Sequence, residues 1–388
     1  MTSHASPSNL TPHAKRLILC LDGTNDEIGR GLPTNVGKTY EMLAASDVRQ
    51  ATYYDPGIGT LPAANARGYV DRKVSVGLEL MLGRGIRTKL AAAYTWLMEN
   101  YDHGDPATGR PRAQVYVFGF SRGAFAARAL VGMLNRVGLL RPGAENLVPY
   151  AVAHYTVNQR RFTAARLAET VEFANAFCWG TEQDPLSAPW PGVANDQNRH
   201  SVPIEFLGLW DTVEAVGLPG RTVDWEGTHT LRNVRRVRHA VSIDEWRRPF
   251  HEFLTTHPNL NPLSDDGTPN ATADVQETWF PGVHCDVGGT YPDSQLSTTA
   301  FRWVLDSVVE EFIPREQNSF QLACQARTSP AATTLHTDAA IWSLAVPRKR
   351  PIKPTYWIHD SVRTLLADTT SGYHPRNLPA DPVWLTAP

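Results

Sequence analysis

The chain has 388 residues, 42% of them hydrophobic and 20% charged, and a formal net charge of −2. This composition excludes a disordered chain and predicts a packed core, enough for one large domain with insertions or two ordinary ones. The near-neutral balance gives no electrostatic case for nucleic acid, and no run of 18 apolar residues offers a transmembrane helix.

Residues 1–14 are read as a disordered N-terminal tail. The first apolar run, 17–21, is too short for the core of a signal peptide. Synthesis in the cytosol is expected, and any secretion would be signal-independent. The four cysteines, Cys20, Cys178, Cys285 and Cys324, are widely spaced and form no CxxC pair. They read as buried free thiols rather than as disulfides or a zinc site.

In chain order, "RLILCL" (16–21) reads as a buried strand ending at Asp22, Gly23 and Thr24. "ATYYDPGIGT" (51–60) reads as a second strand entering a glycine-rich loop. Residues 83–101 carry helical spacing at Ile86, Leu90, Tyr94 and Leu97. "AQVYVFGF" (113–120) is the next strand, followed by an alanine-rich helix. Residues 141–200 are less regular and fit an inserted cap. "PIEFLGLWDTV" (203–213) is a strand ending in Asp211, and "VRRVRHAVSIDE" (234–245) is a strand or short helix. "ETWFPGVHCDVGG" (277–289) is a strand running into a loop that bears His284, and 296–312 is helical. The last seventy residues, with many prolines, read as an irregular packed tail. Strands alternating with helices predict an α/β fold with a mostly parallel sheet covered on both faces. Ligands sit at the carboxyl ends of such strands, where Asp22, Ser121, Asp211 and His284 all fall.

The stretch "GFSRG" (119–123) has the G-x-S-x-G pattern between a strand and a helix, the setting of a nucleophile elbow. A serine at so sharp a turn crowds the backbone two residues to either side, which Gly119 and Gly123 relieve. Its hydroxyl needs a histidine to accept the proton and a carboxylate to orient that histidine. Asp211 and His284 supply both, in the order Ser, acid, His. Taken alone, Asp211 reads equally as a helix N-cap and His284 as a loop histidine. Asp224 and Asp244 are weaker acids, and His239, His257 and His359 rival bases. Asp286 lies too close to His284 to orient it and could instead hold the loop. The Arg122 backbone N–H and that of Gly23 or Thr24 are the candidate oxyanion donors. "LCLDGT" echoes a phosphatase motif, but Cys20 stands where that chemistry needs its aspartate. The chemistry needs no metal and no organic cofactor.

Together "LDGTN", "TNVGKTYEML", "YYDPGIGT", "VFGFSRGAFAARALVGML", "GLWDTVEAVGLP", "PGVHCDVGGTYPDSQLS" and "IHDSVRT" with "GYHPRNLP" resemble an α/β-hydrolase family. It is a family of poorly characterised function that includes the catalytic domain of type VI secretion phospholipase effectors. The resemblance spans about 15–380 and is weakest over 141–200. It implies one α/β-hydrolase domain over 15–388 with a cap insertion around 141–200. It places Ser121, Asp211 and His284 on the family's triad, lined by the Asp22 and Asp286 loops. It implies a lipid or small ester as substrate, transient membrane contact and, for a secreted effector, an immunity protein as partner. Cys285 departs from the serine more usual there, and no long amphipathic docking segment follows. A cytosolic small-ester or thioester hydrolase and a non-catalytic binding module are the alternatives.

Overall fold

The computed structural model describes residues 14–23, 32–44, 47–57, 73–105, 107–157, 163–180, 200–214, 225–247, 251–255, 274–292, 295–312, 336 and 349–385. Its strands are β1 (Arg16–Leu21), β2 (Gln50–Asp55), β3 (Gln114–Phe120), β4 (Phe206–Trp210), β5 (Arg236–Ser242), β6 (Asp274–Phe280), β7 (Trp357–His359) and β8 (Val383–Leu385). They form one sheet in the order β2-β1-β3-β4-β5-β6-β7-β8. Every pairing is parallel. This is the α/β-hydrolase arrangement expected from the alternation of strands and helices.

Both faces of the sheet are buried, which is why its central strands read as continuous apolar runs rather than alternating ones. Leu17, Leu19, Val115, Val117, Leu207 and Leu209 point into one core with helices α2 (Lys73–Asn100), α3 (Ser121–Arg136), α4 (Val148–Tyr155) and α5 (Ala164–Phe177). Ile18, Cys20, Tyr116, Phe118, Phe206 and Trp210 point into the other, with α1 (Asn35–Leu43) and α7 (Gln295–Asp306). The short helix α6 (His284–Gly288) lies between β6 and α7. A third cluster joins Trp279 and Ile358 to Val362 and Leu365 of α8 (Asp360–Ala367).

Helix α3 runs behind the centre of the sheet, with every residue except Arg122 buried. Ala124, Ala126, Ala127 and Ala129 keep its side chains short, so it packs close to β1, β3 and β4. In the 141–200 stretch, α4 buries Val148, Ala151, Val152 and Tyr155 in the same core, and the Tyr155 hydroxyl donates to Glu226 O at 3.0 Å. Residues 181–199 of that stretch, with Trp190, lie outside the described residues.

The structure corrects the sequence reading in two places and decides between its alternatives in a third. The tail read as irregular contributes β7, α8 and β8, because apolar runs of three residues are too short to signal strands. The ambiguous 234–245 segment is a strand whose His239 and Arg238 are buried in partnered polar networks. His284 opens a short helix rather than sitting in a loop, the Val283 N–H donating to Asp286 Oδ2 at 3.0 Å to hold the first turn.

Candidate active site

The register of the sheet brings the serine and the aspartate together. Phe120 pairs with Trp210 across β3 and β4, so Ser121 and Asp211 each follow a paired residue at adjacent strand ends. The Val213 N–H donates to Ser121 O at 3.2 Å, tying the two turns together. Ser121 has φ 56° and Asp211 φ 37°, both in the left-handed region that costs a non-glycine residue energy. Such conformations persist only where surrounding structure enforces them.

At Ser121 the enforcement is steric. A Cβ on Gly123 would lie 2.1 Å from Leu21 O and 2.4 Å from Asp22 O. One on Gly119 would lie 2.6 Å from Ala124 Cα. The helix therefore starts directly against the end of β1, and its first-turn N–H groups are directed out of the helix at that N-terminus. The N-terminus of α3 thus presents donors and a positive dipole end beside the serine.

His284 Nδ1 lies 2.5 Å from Asp211 Oδ2, and both residues are buried. In the tautomer that carries its proton on Nδ1, facing the carboxylate, Nε2 is the accepting nitrogen. The Phe120 ring stacks on the imidazole, centroids 4.6 Å apart. Among the described residues no hydrogen bond joins the Ser121 hydroxyl to His284. In unliganded enzymes that contact is commonly loose and tightens with substrate.

Asp211 is held by Ser242 and Arg350 as well as His284. Its Oδ1 accepts from the Ser242 N–H at 2.9 Å and from Arg350 Nη1, and its Oδ2 accepts from Arg350 Nη2 at 3.1 Å. Burial would push this carboxyl up, but the Arg350 guanidinium and the His284 bond outweigh it and hold it well below the usual carboxylate range.

Asp22 caps the neighbouring loop. It accepts from the Thr34 hydroxyl at 2.8 Å, the Tyr54 hydroxyl at 2.7 Å and the Gly23 N–H at 2.8 Å. Burial pushes its pKa up against those bonds. The Gly23 N–H is therefore engaged by Asp22, and Thr24 lies outside the described residues. Asp286 holds the His284 turn and pairs with His336 Nδ1 at 2.7 Å.

Residues 15–307 match the model for the type VI secretion phospholipase effector Tle1-like catalytic domain. The chain belongs to this family. The Tle1-like domain is also 33% identical over 257 residues to the uncharacterized protein YEL023C of Saccharomyces cerevisiae. That match covers 65% of this chain and 34% of the yeast protein, so the chain spans about a third of that relative's length. Among solved structures, an uncharacterized protein from Pseudomonas aeruginosa superposes with a TM-score of 0.42 at 18% identity, covering 77% of this chain and 46% of that one. The Tle1 effector bound to the VgrG spike of the type VI secretion system gives 0.36 at 18% identity, covering 76% and 57%.

Two parts of the Tle1-like site escape sequence reading. Arg350 sits 139 residues from Asp211 in a proline-rich stretch with no periodic signal. The second is a buried network behind Thr212. His239 Nε2 accepts from the Thr212 N–H at 3.2 Å, and His239 Nδ1 lies 2.7 Å from Glu277 Oε1. Arg128 completes the network, bonding Thr255 Oγ1 at 3.0 Å and Glu277 at 3.4 Å. Burial pushes the His239 imidazole down, and the ring braces the Asp211 turn through the Thr212 N–H. Of the other rival bases, His359 caps α8, and His257, with the rival acid Asp224, lies outside the described residues. Among the described residues no helix is long and apolar enough to cross a membrane.

Asp244 gives the site's neighbourhood a pH dependence. Its Oδ2 accepts from the Gly282 N–H at 2.8 Å and the Tyr373 hydroxyl at 2.9 Å. Burial raises its pKa to about 6, against those two bonds and with a small contribution from Asp286. The folded state therefore binds this proton more tightly than the unfolded chain. This contribution to stability is full below about pH 4 and is lost as pH rises through about 6. Thermal unfolding of Asp244→Asn should show a flatter dependence on pH between those values than the wild type. An unchanged slope would refute the assignment.

Proposed function

We propose that this Tle1-like domain is a serine hydrolase that cleaves carboxylic esters of lipids through an acyl-enzyme. The observation that carries the reading is the buried 2.5 Å His284–Asp211 pair at the strand end next to a serine held at φ 56°. Ser121 Oγ attacks the carbonyl carbon as His284 Nε2 takes its proton, and Asp211 orients the ring and stabilises the imidazolium. The tetrahedral oxyanion is held by the Arg122 N–H, with Thr24 the candidate for the second donor. His284 returns the proton to the leaving alcohol, and water repeats the sequence to release the acid.

The lipid assignment is supported by membership of the phospholipase effector family. Transient contact with a membrane and an immunity or spike protein as partner belong to the same reading. The inserted cap around 141–200 within a single domain remains part of the proposal.

The test is labelling with a fluorophosphonate probe followed by peptide mapping. The wild type should be labelled at Ser121 and Ser121→Ala should not. On a panel of esters, long acyl chains should be turned over faster than short ones. A preference for short chains would replace the lipid reading with a small-ester hydrolase. Failure of well-folded wild type to react, with detergent or lipid present, would sink the enzyme in favour of a binding module.

A further inference from the structure

We propose that Arg350 is a positioning residue of this active site, a guanidinium clamp delivered by the C-terminal segment that fixes the Asp211 carboxylate for His284. The proposal rests on the triad reading above.

Arg350 lies beyond residues 15–307, the span that matches the family model. Its side chain is 1% exposed, as is that of Asp211. It is held in place independently of the aspartate. Nη1 also donates to Ser242 O at 3.0 Å and Ser242 Oγ at 2.8 Å. Its backbone oxygen accepts from Asn377 Nδ2 at 3.0 Å, and the same amide donates to Ile243 O at 3.0 Å. The arginine is thus anchored to the end of β5 and meets Asp211 in two-pronged geometry, which fixes the plane of the carboxylate.

That plane decides where His284 stands. Asp211 sits in a left-handed turn and shares Oδ2 between His284 and Arg350. A scaffold needing only cohesion here would be served as well by apolar side chains, since burying an ion pair brings little net stability. What the ion pair adds is orientation and charge. Asp211 and Arg350 together are neutral, so the carboxylate meets the imidazole already balanced by a fixed positive partner.

Among the described residues, the charged and titratable groups facing Asp211 are His284 from α6, Arg350 from the C-terminal segment and His239 from β5 behind Thr212. The Glu245–Arg247 pair adjoins them, with Glu245 Oε2 accepting the His284 N–H at 3.3 Å. Removing the arginine removes the nearest fixed cation. The Asp211–His284 pair, titrating as a unit, would then keep its proton to higher pH.

The experiment is the second-order rate of fluorophosphonate labelling at Ser121 as a function of pH in full-length wild type, R350M, R350K, D211N and D211N/R350M, with thermal unfolding of each as a folding control. R350M should label at least about tenfold more slowly, with the acid limb of its profile moved up by about one pH unit. R350K, which keeps the charge but not the fork, should lie between, with the limb unmoved. The double variant should label no more slowly than D211N, because the clamp acts through the aspartate. Wild-type rates and an unshifted limb in R350M overturn the proposal while leaving the triad intact. So does a slowed R350M with an unshifted limb and additive loss in D211N/R350M, which would mark a merely structural arginine. If R350M does not fold, R350K alone decides, a wild-type rate there overturning the clamp. Wild type that does not label refutes the triad itself, and the clamp with it.

Discussion

Replacing His284 by alanine is expected to lower kcat on a labile ester about ten-thousandfold to a millionfold with little change in KM. The loss follows from the chemistry of Ser121, whose hydroxyl is a poor nucleophile until a base takes its proton. The ring stacked on Phe120 and bonded to Asp211 is the one described imidazole at this strand end so placed. His239 cannot replace it, because both its ring nitrogens are engaged by Thr212 and Glu277. Asp211→Asn should cost about ten-thousandfold, since an amide would favour the wrong imidazole tautomer. Combining Ser121→Ala with His284→Ala should cost no more than either alone, because the two act as one unit. The measurement is steady-state turnover, with thermal unfolding as a folding control. A His284→Ala variant within tenfold of wild type would move the base elsewhere and end the triad reading.

The parts of this molecule that were legible in the sequence share a physical cause. Buried parallel strands leave apolar runs, so β1, β3, β4 and the apolar end of β6 at Trp279 and Phe280 announce themselves, and polar residues directly after such runs must lie at the carboxyl edge of the sheet. Asp22, Ser121, Asp211 and His284 were found in that way. The crowding around Gly119 and Gly123 was also legible, because the pattern encodes a steric need. What stayed hidden depends on long-range packing. Arg350 and the Arg128–His239–Glu277 network are polar residues without periodicity, and nothing local distinguishes a buried arginine from a solvated one. The strands β7 and β8 are too short to outweigh the prolines around them. Helix α1 opens at the Thr34 side chain, which accepts from the Gly37 N–H. The Thr34 cap is a local signal, yet in the sequence reading this segment carries only the family likeness.

The second large effect concerns stability and the elbow together. Gly123→Ala should destabilise the fold by about 3 kcal/mol or more, because the new methyl would meet backbone oxygens that no rotamer change can move. Gly288→Ala acts differently. Its Cβ would lie 1.9 Å from Cε2 of Phe120, a side chain 2% exposed. The ring must shift, at a cost of about 1–3 kcal/mol. That ring is stacked on His284 and immediately precedes Ser121, so displacing it disturbs the proposed base and nucleophile at once. A misplacement near 1 Å is enough to lower kcat about a hundredfold. Gly288→Ala should therefore lose activity out of proportion to stability, whereas Gly123→Ala should lose both. Gly180, with nothing within 4 Å of an added Cβ, supplies the control, and Gly180→Ala should match wild type. Thermal unfolding and Ser121 labelling rates on the three variants separate these outcomes. If Gly288→Ala unfolded at the wild-type temperature and labelled at the wild-type rate, the Phe120 stack would have no part in holding the site.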